Sequence, residues 1–144
     1  MFESVQLVRM VLGTVLKCVV ALYLLSSYKS LPGVYFIRFY STVFPNIVLP
    51  YLTGFTMSTY ASPFECDFYF HKSNSTYFEE LDISRSELMT KIFQKLFFIS
   101  KRWPYIPVAN VFTNFLKEIK PFEKYEVTSQ ILCWDEKWIY VMSR

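Results

Sequence analysis

The chain has 144 residues, enough for one ordinary domain. Hydrophobic residues make up 53% and aromatics 20%, while charged residues reach only 19%, below the roughly 25% of soluble domains. The net charge of +3 is scattered, with Lys101-Arg102 its only adjacent basic pair, which argues against nucleic acid as a partner; three cysteines and one histidine argue against a four-ligand zinc site and a disulfide framework.

Residues 1–30 form the first unit. Val5 to Leu25 is largely apolar, and at 100° per residue Gln6, Arg9, Gly13 and Lys17 fall on one narrow stripe. Three readings are open. A spanning helix keeps Met10 to Ser27 in the bilayer, near the lower length limit, with Lys17 costing about 2.5–3.5 kcal/mol at its middle. An interfacial helix lies flat with the stripe in water. A cleaved signal peptide is the third, although Ser26-Ser27-Tyr28-Lys29 is a poor cleavage site. Lys29 and Arg38 follow the helix while Glu3 and Arg9 cancel before it, so the positive-inside rule places the remainder in the cytosol.

Residues 31–63 read as a hydrophobic connector. Phe39 to Phe64 has no charge, and Pro45, Asn46, Pro50 and Gly54 interrupt a second spanning helix. The turn-rich run Ser58 to Pro63 marks the domain boundary.

From Phe64 the period becomes two: Phe64, Cys66, Phe68 and Phe70 alternate with Glu65, Asp67, Tyr69 and His71, which predicts a half-buried strand. Thr76 and Glu79 have capping-box spacing, and Leu81, Leu88, Ile92 and Leu96 recur at helical spacing. One helix is expected from Thr76 to Phe97. Strand-like runs follow at Val108 to Ile119, Tyr125 to Cys133 and Trp138 to Ser143, the last two joined by a polar hairpin, Trp134-Asp135-Glu136-Lys137. A strand, a long helix and then consecutive strands make an α+β fold in which a sheet wraps one helix.

Asp67-Phe68-Tyr69-Phe70-His71-Lys72-Ser73-Asn74-Ser75-Thr76-Tyr77 resembles the opening motif of the 4-hydroxybenzoyl-CoA-thioesterase-like hotdog proteins: Asp, three residues, His, then Asn and Tyr three and six positions on. Arg85 falls where that family often has an Arg on its central helix. The runs Lys120 to Val127 and Leu132 to Trp138 are similar to a membrane-anchored branch, thioesterase superfamily member six. The resemblance covers residues 64–144 and implies hydrolysis or binding of an acyl thioester such as acyl-CoA, at a homodimer interface, without metal or cofactor. It implies that Asp67 attacks the thioester carbonyl or activates water, and that an N–H at the helix start polarises the carbonyl. His71, Asn74 and Tyr77 are the implied substrate-binding residues. Relatives continue with at least one more strand, so the hotdog sheet is expected to be incomplete at the C-terminus. The chain departs from many relatives in having Phe70, where they carry Gly before the His, and Ser73-Asn74 for an Asn-Asn pair.

The residues themselves leave other readings open. Asp67 also fits the solvated face of a strand, and Tyr77 fits the helix's apolar stripe. In a regular strand Asp67 and His71 are about 13 Å apart, which excludes a direct hydrogen bond unless the chain turns. Arg85 is expected to pair with Asp82 or Glu79, and Cys66 to be a buried, inert thiol. A non-catalytic acyl-binding or structural membrane protein, or an inactive truncated reading frame, competes with the enzyme.

Overall fold

The computed structural model describes residues 2–46, 55–99 and 105–144. Its elements are α1 (Phe2–Ser26), α2 (Val34–Asn46), β1 (Phe55–Tyr60), α3 (Asn74–Ile92), α4 (Gln94–Ile99), β2 (Lys124–Trp134) and β3 (Ile139–Ser143), with 3-10 turns at Tyr28–Ser30 and Pro63–Glu65. The strands form one antiparallel sheet in the order β1-β2-β3, and α3 packs against it. This is the expected α+β, hotdog-like arrangement behind an N-terminal apolar helix.

Within α1, Val5–Ser26 is long and apolar enough to cross a membrane, and its hydrophobic side chains face outward. At 1.5 Å per residue its length is about 33 Å, matching a bilayer core of about 30 Å. The helix is not free of the domain. Tyr60 Oη donates to the Ser26 carbonyl at 2.7 Å, and the Tyr23 and Phe64 rings meet edge to face at 5.0 Å.

β2 alternates as a strand with one covered face should, Val127 and Ser129 in and Glu126 and Gln130 out. With Val43, Ala61, Ile83, Leu88 and Met89, Val127 forms the buried apolar core. Three hydroxyls cross that core in series: Ser84 Oγ to Ser129 Oγ at 2.7 Å, and Ser129 Oγ to Ser143 Oγ at 2.7 Å. They tie α3 to β2 and β3. The hairpin forms as expected, because Asp135 Oδ1 accepts the Lys137 and Trp138 N–H groups at 2.8 and 2.7 Å and closes the turn locally.

Several local expectations are corrected. The first strand is Phe55–Tyr60, paired with Ser129 to Lys124 of β2, not Phe64 to His71. The segment read as a connector therefore holds α2, which packs on α3, and the first strand of the sheet; its Pro50 and Gly54, like Pro104, lie outside the described residues. Phe64 to His71 alternates in sequence for another reason: Glu65 points into the domain and Phe68 to Phe70 form an exposed turn. Val108 to Ile119 forms no ladder among the described residues; a strand is held by its cross-strand neighbours more than by its own propensity. The helix starts at Asn74 with Ser73 as N-cap, since the Thr76 hydroxyl donates to the Ser73 carbonyl at 2.8 Å and is not itself the cap. It ends at Ile92, and a break at Phe93 separates α4.

Candidate active site

The most heavily buried charged groups among the described residues form a network that the sequence did not announce. The Lys29 ammonium pairs with Glu65 at 3.1 Å and Glu80 at 3.0 Å. Arg38 grips Glu80 through two N–H donors at 2.9 and 2.7 Å, and Lys72 pairs with Glu65 at 2.9 Å. Lys72 and Glu80 are each 1% exposed. Tyrosine rings complete the cage: Lys29 Nζ lies 5.0 Å from the Tyr60 ring centre, and Lys72 Nζ lies 5.5 Å from that of Tyr77 and 5.6 Å from that of Tyr125. Burial pushes the Glu80 carboxyl up, but Arg38 and Lys29 outweigh it and hold the group below the usual carboxylate range. Burial pushes Lys72 down, only partly offset by Glu65. The Tyr125 hydroxyl is raised strongly by burial and by the two carboxylates, so it remains a phenol.

This network anchors the loop that carries the candidate catalytic residue. Glu65 and Lys72 flank residues 66–71, and a bridge pairs Cys66 with Lys72. Between them the chain reverses: Asp67 N–H donates to the His71 carbonyl at 3.0 Å, and Phe70 N–H to the Asp67 carbonyl at 3.1 Å. Asp67 Oδ1 accepts the Tyr69 N–H at 2.9 Å. The turn brings Asp67 Oδ2 to 3.5 Å from His71 Nδ1, so the separation of about 13 Å expected of a regular strand does not apply. That contact is an ion-pair distance, long for a hydrogen bond. Phe70 closes the turn at φ +58°, the left-handed region, which costs a residue with a Cβ roughly 1–2 kcal/mol. This is the position at which many relatives carry Gly.

Two concavities flank the turn. One, of about 250 Å³, is lined by His71, Lys72, Asn74, Tyr77 and the segment Phe115–Glu118. It brings the three expected substrate-binding residues to one place, with Tyr77 half-buried against the Phe115 ring at 5.2 Å. The other, of about 490 Å³, is lined by Asp67, Cys66, Phe68, Phe70, Phe122 and, from α1, Tyr23. Asp67 thus lines a different hollow from His71, Asn74 and Tyr77. Phe122, like Phe70, has a positive φ, +66°, so both non-glycine residues with left-handed backbone among the described residues border the hollow that holds Asp67. Cys66 is half-buried, its Sγ is 3.4 Å from the Ser62 carbonyl, and burial pushes its thiol up, as befits an inert group. Arg85 pairs with Asp82, as expected, and donates to the Ile106 carbonyl at 3.3 Å. Asp82 also accepts from Tyr35 Oη at 2.5 Å, which together with burial pushes that phenol up to about 12.

A model of the thioesterase-like superfamily matches residues 62–144. A probable thioesterase of Saccharomyces cerevisiae is 65% identical over 91% of this chain and 65% of its own length. A probable thioesterase of Emericella nidulans is 33% identical over 84% of this chain and 51% of its own, and Protein THEM6 of Xenopus laevis is 30% identical over 87% and 62%. The chain therefore spans between about half and two-thirds of the length of these relatives. No solved structure matches it significantly. The family match covers more than half of the residues, and the sheet-on-helix fold agrees with it: the chain belongs to the thioesterase-like superfamily.

Proposed function

We propose that this chain is a membrane-attached hydrolase of acyl thioesters, acyl-CoA among them, with Asp67 as the catalytic residue and the domain on the cytosolic side. The observation that carries this reading is the turn at Asp67–His71. It sets a carboxylate beside an imidazole, one turn ahead of the α3 N-terminus, with a hollow on either side. The first N–H groups of a helix have no intrahelical acceptor, and there they can receive a developing oxyanion.

In this mechanism Asp67 takes a proton from water, and the hydroxide adds to the thioester carbonyl. The tetrahedral intermediate places its oxyanion at the α3 N-terminus. It collapses with loss of the thiolate, and the proton returns from Asp67 to sulfur, giving carboxylic acid and thiol. His71, Asn74 and Tyr77 line the neighbouring hollow and hold the substrate. As in the family generally, the working unit is taken to be a homodimer.

The test is release of free thiol from acyl-CoA by the full chain and by Asp67→Asn. The isosteric change should lower turnover at least about 100-fold, the usual scale for removing a general base, with an unchanged circular dichroism spectrum. Equal turnover in the two proteins overturns the role of Asp67, and binding of acyl-CoA without turnover in either favours a non-catalytic acyl carrier.

A further inference from the structure

The turn that carries Asp67 is also an exposed aromatic point of the domain beside Tyr23 of α1. Phe68 is 98% exposed, Tyr69 83% and Phe70 78%, with Phe64 and Phe122 exposed beside them. Aromatics this bare mark a contact surface. What lies against them is fixed by how α1 meets the domain. The helix is locked at its C-terminal end by three separate ties: Tyr60 Oη on the Ser26 carbonyl, the Tyr23 ring on Phe64, and the buried ion pairs of Lys29, three residues beyond the helix. With that end fixed, the direction of α1 decides which face of the domain meets the bilayer. Tyr23 and the loop share one hollow, so the loop sits at the level of Tyr23, within the last turn of the apolar stretch. An aromatic ring at that depth belongs to the headgroup interface.

We infer that Phe68, Tyr69 and Phe70 form a second membrane contact, inserting into the phospholipid interface so that the hollow containing Asp67 opens onto the bilayer. Its partner is the lipid surface and, through it, an acyl chain that can enter from the membrane without crossing water. Phe68, Phe70, Phe122 and Tyr23 make the wall of that hollow apolar, and Asp67 is its carboxylate. The inference rests on the membrane attachment proposed above.

The hairpin Trp134–Trp138 supplies an internal comparison. Trp134 is 74% exposed, but β2 carries it ten residues from Lys124, the partner of Tyr60, or about 33 Å at strand rise. The full chain is reconstituted in phosphatidylcholine vesicles containing a diazirine-bearing phosphatidylcholine, illuminated, digested and mapped by mass spectrometry. Carbene adducts are expected on α1 and on residues 64–70, with at least a fivefold lower yield on residues 134–138. Phe68→Ser with Tyr69→Ser, both at exposed positions, should reduce loop adducts at least threefold and leave those on α1 unchanged. Adducts on α1 alone, an unchanged loop yield in the double variant, or a loop that cross-links to a second copy of the chain instead of lipid overturns the inference while leaving membrane attachment standing. Adducts on neither segment overturn the attachment itself.

Discussion

Replacing Glu80 with Gln is the sharpest test of how the domain is held together. Glu80 is buried on α3 and receives three donors, one from Lys29 and two from Arg38. The amide keeps the shape but removes the charge, leaving Arg38 without its carboxylate and Lys29 with Glu65 as its one remaining carboxylate among the described residues. Breaking a buried pair from one side costs about 3–5 kcal/mol, which for a domain of this size is a fall of roughly 10–20 °C in melting temperature. The assay is thermal unfolding of the full chain in detergent micelles, followed by circular dichroism. Arg38→Met added to Glu80→Gln should recover part of the loss, because the uncompensated cation goes with it. The pH dependence carries a defined sign. The folded Glu80 titrates below its unfolded value, so the unfolded chain binds more protons between the two values. The stabilisation is therefore complete above about pH 5 and is lost as pH falls through the folded pKa. Glu80→Gln should flatten that acid slope. A melting shift below about 3 °C, or an acid slope identical to that of the parent, would refute the view that this network stabilises the fold.

Ser129→Ala removes the middle hydroxyl of the Ser84–Ser129–Ser143 chain and strands buried Ser84; the expected loss is about 1–3 kcal/mol, read in the same melts, and Ser84→Ala with Ser129→Ala should cost less than the sum of the two. Asp135→Ala removes the acceptor of the Lys137 and Trp138 N–H groups, so amide exchange at those two positions should quicken in hydrogen-exchange mass spectrometry while β1 keeps its protection.

What was legible in the sequence was local. Val5 to Leu25 shows its helix through a long, largely apolar run, and the hairpin shows itself because Asp135 can satisfy its own turn. The rest depended on partners far away in the chain. Glu80 and Lys29 are 51 positions apart, and nothing near Lys29 distinguishes it from a basic residue flanking a membrane helix. The buried face of α3 holds Glu80, Ser84, Glu87 and Thr90 beside Ile83, Leu88 and Met89, so a search for apolar periodicity finds Leu88 but passes over the polar residues that also face inward. Val108 to Ile119 misled in the opposite sense, since β-branched and aromatic residues make a strand only when a neighbour supplies the ladder.

Phe70 shows how a sequence departure changes meaning once the backbone is known. Gly, which the resemblance leads one to expect at this position, lets a backbone approach a ligand closely, and on that ground alone Phe70 would be an obstruction. The backbone assigns it a different requirement: the residue closing the Asp67 turn must adopt a positive φ, which Gly does without strain and Phe does only at a cost. Phe70 nevertheless holds that conformation, its Asp67 carbonyl contact is made, and its side chain is largely exposed. The turn that joins Asp67 to His71 therefore survives the loss of Gly, and the strain is offset by neighbouring contacts such as the buried Glu65–Lys72 pair that clamps its two ends. A large exposed aromatic at a strained position has no packing reason within the domain, which is why its role is sought in what the loop touches outside it.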